Sequence, residues 1–197
     1  MVRSSREPTE VQVKPGVEAD LEELTALYNH YIVETPITFD TRPFTPGERL
    51  TWLRSHPEDG PHRLLVARGP DQGLLGYVTS GPLRPKAAYS TSVEVSVYCA
   101  PDAGGKGVGT ALYEALFKAL EGEDVHRAYA GITQPNDASV RLHTRFGFRP
   151  LGTYHEVGRK FGRYWDITWY EKHLGESGPA AGAPGTRGHE DATRPGG

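Results

Sequence analysis

The sequence predicts one α/β domain built on a mixed sheet, and three observations lead there. Short runs of alternating or continuous apolar residues are interleaved with segments of helical period. Strand-like runs stand close enough to form a hairpin at each end of that pattern. The pattern fills one stretch, residues 11–174, which is long enough for one sizeable core. Strands alternating with helices suit a parallel arrangement, and the terminal hairpins add antiparallel strands to it.

Taken in order, Val11 to Val13 reads as a short first strand. Leu21, Leu24, Leu27, Tyr28 and Tyr31 then recur at helical spacing, with Asp20 placed to cap the helix and Glu23 in its first turn. After a loop through Thr35, Pro36 and Pro43, Thr45-Pro46-Gly47-Glu48 has the capping-box pattern and opens a second helix carrying Leu50, Trp52 and Leu53. Leu64–Ala67 and Leu74–Thr79, separated by a Gly-Pro-Asp-Gln-Gly turn, form a hairpin. Val93 to Cys99 alternates strictly, placing Val93, Val95 and Val97 on one face and Glu94, Ser96 and Tyr98 on the other. A glycine loop leads into an amphipathic helix through Leu112, Leu116 and Leu120. Tyr129 to Ile132 is the next strand. Asn136 to Ser139 opens a helix that ends at Gly147, a left-handed cap. Phe148–Val157 and Tyr164–Tyr170 complete the sheet.

The flanks differ in composition. Residues 1–10 and 175–197 hold no large aliphatic core and read as a disordered arm and a Gly/Pro-rich disordered tail. The chain of 197 residues carries a net charge of −3, which gives no electrostatic footprint for nucleic acid. It has no apolar run long enough to span a membrane, and its N-terminus lacks an apolar signal core. Its one cysteine, Cys99, rules out an intrachain disulfide and disfavours a cysteine-based metal site. A cytoplasmic protein without a metal fits these features.

The loop Ala103-Gly104-Gly105-Lys106-Gly107-Val108-Gly109-Thr110 follows a strand and opens a helix. Glycines let the backbone approach a ligand closely, and a helix start presents unpaired N–H groups and the positive end of its dipole. Together they suit a pyrophosphate. A Walker loop would need Ser or Thr after Lys106, where Gly107 stands. A dinucleotide fingerprint would need its third glycine at Thr110.

With the Asn136…Ser139…His143…Gly147-Phe148 segment that follows, the loop resembles the GNAT acetyltransferase superfamily. Its pattern there, Gln/Arg-x-x-Gly-x-Gly/Ala, cradles the pyrophosphate of CoA. Gly107 and Gly109 match the two glycines, but Gly104 replaces the leading Gln or Arg. The resemblance therefore implies that backbone N–H groups along Gly104 to Thr110, together with Lys106, carry the phosphate binding. Arg84-Pro85-Lys86-Ala87-Ala88-Tyr89, Glu94 to Tyr98, Asn136 to His143 and Gly162 to Asp166 are similar to the branch that acetylates phosphinothricin and methionine sulfoximine. The likeness covers nearly all of residues 11–174. It implies a mostly antiparallel sheet with a splayed parallel pair, flanked by about four helices. It further implies acetyl-CoA as co-substrate, a small amino-acid-like amine as acceptor, and a homodimer.

That chemistry needs a base, because only the free amine attacks a thioester. Glu94 is the first candidate and His143 the second, a pair assigned to acid–base work together. The resemblance places the splayed backbone that receives the thioester carbonyl and CoA arm at Val97, Tyr98 and Cys99. It places a further contact to the arm at Asn136, with Ser139 assisting. Arg84, Lys86 and Tyr89 form a basic–aromatic cluster suited to an acidic acceptor. Phe39 sits in the loop expected to close over it. Arg159, Lys160 and Arg163 read as surface charge or a rim between copies. Cys99 reads as a small buried apolar residue rather than a nucleophile. Two other readings share these residues: a GNAT enzyme for a different amine, such as a protein N-terminus or an aminoglycoside, and a CoA-binding module without catalysis.

Overall fold

A computed structural model describes residues 11–175; the arm expected at 1–10 and nearly all of the tail lie outside them. The elements run β1 (Gln12–Pro15), α1 (Leu21–Glu34), α2 (Pro46–Arg54), β2 (Leu64–Arg68), β3 (Leu74–Pro82), β4 (Ser92–Cys99), α3 (Val108–Ala119), β5 (Arg127–Gln134), α4 (Asp137–Arg145), β6 (Arg149–Lys160) and β7 (Arg163–His173). The seven strands form one sheet in the order β1-β2-β3-β4-β5-β7-β6. Only β4 and β5 run parallel; every other neighbouring pair is antiparallel. The expected strands are all present, with β3, β5, β6 and β7 extending beyond their sequence-based limits.

Two cores sit on opposite faces of the sheet. On one, Val93, Val95, Ala128, Ala130 and Ile132 pack under Leu112, Tyr113 and Leu116 of α3 and against Phe148. On the other, Leu21, Leu24 and Leu27 of α1 and Leu53 of α2 pack on Leu64, Val66 and Tyr77, with Tyr98 at the edge. The period-2 alternation of β4 thus sends its valines under α3, and Glu94, Ser96 and Tyr98 toward α1 and α2.

The local signals behave differently at three helix ends. At α2 the capping box forms as read: Glu48 N–H donates to Thr45 Oγ1 at 3.3 Å and Thr45 N–H to Glu48 Oε2 at 2.7 Å. At α4 the left-handed Gly147 (φ 81°) closes a Schellman motif, with Phe148 N–H bonding His143 O and Gly147 N–H bonding Thr144 O, both at 3.0 Å. Asp20 does not cap α1. It accepts instead from Val17 N–H at 2.9 Å, and it is buried in an ion pair with Arg68 of β2 at 2.5 Å. A buried guanidinium on the next strand outcompetes a helix end that is already continuous with a preceding turn.

The decisive irregularity lies at the centre. β4 and β5 pair only from Ser92–Glu94 against Arg127–Tyr129, and beyond Glu94 the two strands separate.

Candidate active site

Where β4 and β5 part, a slot of about 50 Å³ opens through the sheet, bordered by Val95, Val97, Ile132, Thr133, Asn136 and His143 among others. Ala100 N–H donates to Leu75 O at 2.8 Å. Backbone groups of successive residues point to opposite sides of a strand. Ser96 and Tyr98 therefore face β3, and Val95, Val97 and Cys99 turn their backbone toward β5, which beyond the Val95 N–H no longer meets them. This corrects the expectation for Tyr98: its backbone belongs to the β3 ladder, and its ring packs among Tyr28, Tyr31 and Tyr77. Val95 N–H still belongs to the end of the β4–β5 ladder, opposite the Tyr129 carbonyl, so Val97 is the residue whose N–H turns into the gap, free to receive a developing oxyanion. The Cys99 carbonyl is held by Tyr31 Oη at 2.7 Å.

On the α3 side the slot opens into a cleft of about 540 Å³. Its floor is the glycine loop. Gly105 and Gly107 adopt left-handed φ of 74° and 80°, and Gly107 is the residue before α3. The first helical bond runs from Ala111 N–H to Gly107 O at 3.0 Å, so the N–H groups of Val108, Gly109 and Thr110 precede the helical ladder. All of the predicted loop residues line the cleft except Lys106, whose side chain is exposed. Arg145, at the end of α4, borders the cleft instead. In sequence it reads only as a basic residue in a last helical turn, and it was not a candidate.

Asn136 caps α4 through its Oδ1, which accepts from Ser139 N–H at 3.1 Å, and its side-chain NH₂ remains for a ligand. Asn136 and Ser139 border both the cleft and the slot. Cys99 also borders the cleft, and burial pushes its thiol up to about 11, which keeps it protonated and poorly nucleophilic. These residues fit an acyl-CoA: a helix start for the pyrophosphate, an amide for the arm, and a slot for the thioester.

Glu94 and His143 come from opposite faces of the sheet. Burial pushes the Glu94 carboxyl above the ordinary range, and nearby Arg84 partly offsets this. Among the described residues its carboxylate has no hydrogen-bonding or ion-pair partner. His143 is buried on the α4 side. Its Nδ1–H donates to the Ser139 carbonyl at 2.7 Å, so in the neutral ring Nε2 accepts from Tyr113 Oη at 2.6 Å. Burial holds the imidazole below its ordinary value near 6.5, with the Ser139 bond opposing. Protonating this ring costs folded-state stability, which is therefore fully present above about pH 6.5 and lost as pH falls toward the folded-state value. The thermal midpoint is expected to decline as pH falls below about 6.5, and the decline should shrink in a His143→Gln variant. An unchanged slope in that variant would contradict the assignment.

On the Glu94 face, Arg84 and Tyr89 line a cavity of about 370 Å³ with Tyr129 and Trp169. The buried Trp169 Nε1–H has no protein partner. Lys86, from the same cluster, is exposed and does not line the cavity. Phe39 is likewise absent from the cavity walls. A Cβ on Gly158 of β6 would fall 2.0 Å from its ring, so Phe39 is docked on β6. Its neighbour Ile37 is the loop residue that borders the slot. Lys160, expected at the surface, is buried and donates to Thr38 O at 2.7 Å, fastening the same loop to β6.

The model of the acetyltransferase (GNAT) domain family matches residues 16–169. A phosphinothricin N-acetyltransferase of Streptomyces coelicolor is 69% identical over 166 residues, covering 84% of this chain and 97% of its own length. A methionine sulfoximine/methionine sulfone acetyltransferase of Pseudomonas aeruginosa is 35% identical over 156 residues, 79% of this chain and 90% of that one. Among solved structures, a phosphinothricin acetyltransferase from Sinorhizobium meliloti in complex with acetyl-CoA superposes with a TM-score of 0.80 at 27% identity, covering 89% of this chain and 94% of that one. The separated parallel pair, the glycine loop at the start of α3 and the match across most of its length agree: the chain belongs to the GNAT acetyltransferase family.

Proposed function

We propose that this enzyme transfers the acetyl group of acetyl-CoA to the α-amine of a small amino acid of the phosphinothricin or methionine sulfoximine type. The observation that carries the reading is continuity. The loop-lined cleft shares Val97, Asn136 and Ser139 with the slot, and the slot reaches Ser96 on the face that bears Glu94. An acyl donor on one face and an amine on the other can therefore meet within the sheet. The names of the two relatives above support the acceptor class, as do Arg84 and the unpartnered Trp169 N–H.

In this scheme Glu94 takes the first proton from the acceptor ammonium. The free amine attacks the thioester carbon, forming the C–N bond, while the N–H group of Val97 faces the oxygen. The C–S bond then breaks with its electron pair on sulfur. The second nitrogen proton ends on the thiolate, on the side of the slot bordered by His143, and one proton is released overall. No acyl-enzyme is needed, in keeping with the raised Cys99 thiol.

The test is an acceptor screen with acetyl-CoA that reads thiol release from phosphinothricin, methionine sulfoximine, methionine sulfone and free amino acids. Release with none of them would transfer the reading to a different amine.

We also propose a homodimer. Leu151, Tyr154, Val157, Phe161 and Tyr164 are all more than half exposed on one β6–β7 hairpin, an apolar edge suited to a second copy. Light scattering is expected to return twice the chain mass; a monomer at micromolar concentration would refute it.

A further inference from the structure

The face that bears Glu94 has a second cavity, of about 230 Å³, between α1, α2 and the β3–β4 floor. It shares Ser96 and Tyr98 with the slot. Arg49 of α2 lines it. This arginine is only 5% exposed, and its Nη1 is buried with no protein partner. Its guanidinium is stacked 4.3 Å from the centre of Tyr28 and 3.7 Å from that of Trp52. Both flat faces are thereby occupied, part of the hydrogen-bonding edge meets the Tyr77 hydroxyl, and the edge at Nη1 is what remains.

The two carboxylates that line this cavity are committed elsewhere. Asp40 accepts from the Tyr28 hydroxyl, and Glu48 holds Arg42 and the Thr45 N–H. Neither forms an ion pair with Arg49. A buried cation without a counter-ion is costly, and a guanidinium edge is shaped to bind two oxygens of an oxyacid.

Position separates this cavity from the one at Arg84. The α-carboxylate of an amino acid lies one bond from the carbon bearing the amine, so it stays near Glu94. The cavity of Arg49 runs from the Thr79–Ser96 pair to the Tyr77–Tyr98 pair. That is two residues along the strands, about 7 Å, close to the extended span from the amine nitrogen to the far oxygen of a head group carried on two methylenes beyond the α-carbon. We propose that Arg49 forms the subsite for the distal oxyacid head of the acceptor. The proposal rests on the functional reading above.

The test compares phosphinothricin, whose head is anionic, with methionine sulfone, whose head is neutral. In Arg49→Gln, KM for phosphinothricin is expected to rise about 10- to 100-fold, the value of one charge-assisted contact, and at least tenfold more than KM for the sulfone. If acetyl-CoA binding by calorimetry shows that this variant does not fold, Arg49→Lys, which keeps the charge but loses the planar fork, should still raise KM for phosphinothricin more than KM for the sulfone, by a smaller factor. KM values that rise together, or do not move, in a folded variant overturn the subsite. Wild-type protein that acetylates neither compound removes the functional reading and the subsite with it.

Discussion

Replacing Glu94 by glutamine is expected to lower kcat/KM at neutral pH by about 10²- to 10³-fold, the usual contribution of a positioned base. The glutamine preserves size and strand, so acetyl-CoA binding should be retained. The pH profile identifies the cause. Glu94 acts as a base only when ionised, and burial lifts its titration above the ordinary carboxylate value near 4.5. Activity in the parent enzyme should therefore fall as pH drops through that raised value, and the limb should vanish in the glutamine variant. Because Arg84 pulls the carboxyl back down, Arg84→Gln should move the same limb to higher pH. A Glu94→Gln enzyme with unchanged turnover would end the catalytic reading.

Gly107→Val is expected to weaken acetyl-CoA binding by about tenfold or more. A β-branched residue at φ 80° costs on the order of 1–3 kcal/mol, and here the cost falls on the backbone that aims the first α3 N–H groups into the cleft. Crowding is not the cause, since a Cβ at this position meets nothing within 4 Å. Gly122 supplies the control: its φ is 84° and a Cβ there is equally free, but it lies beyond the other end of α3 and borders none of these cavities. Gly122→Val should lose comparable thermal stability and keep its cofactor affinity. Equal calorimetric affinities for the two variants would separate the loop from phosphate binding.

Features governed by a few adjacent residues were legible in the sequence. The Thr45–Glu48 box, the cap at Gly147 and the alternation of β4 are local, and each formed as read. The site was legible where a motif names its backbone, as in the loop from Gly104 to Thr110. What escaped depends on distant partners. Lys106 is attached to the right loop, but its side chain stays at the surface while Arg145 reaches the cleft from α4. Phe39 lies in the right loop, yet Gly158, more than a hundred residues away, has room for its ring. Arg49 carries no signal in the sequence, because no local pattern reveals that Tyr28, Trp52 and Tyr77 will enclose it. The loss of pairing beyond Glu94 is similarly invisible, since each strand alone is regular.

That loss of pairing has a kinetic consequence. The sheet acts as a partition with one aperture, and the proposed function assigns CoA to the α3 and α4 side and the amine to the α1 and α2 side. Neither ligand lies in the other's way on entry or departure. The geometry therefore imposes no obligatory order, and either product can leave first. Both substrates must nevertheless be present together, because the direct attack proposed above leaves the acetyl group no resting place on the protein between them.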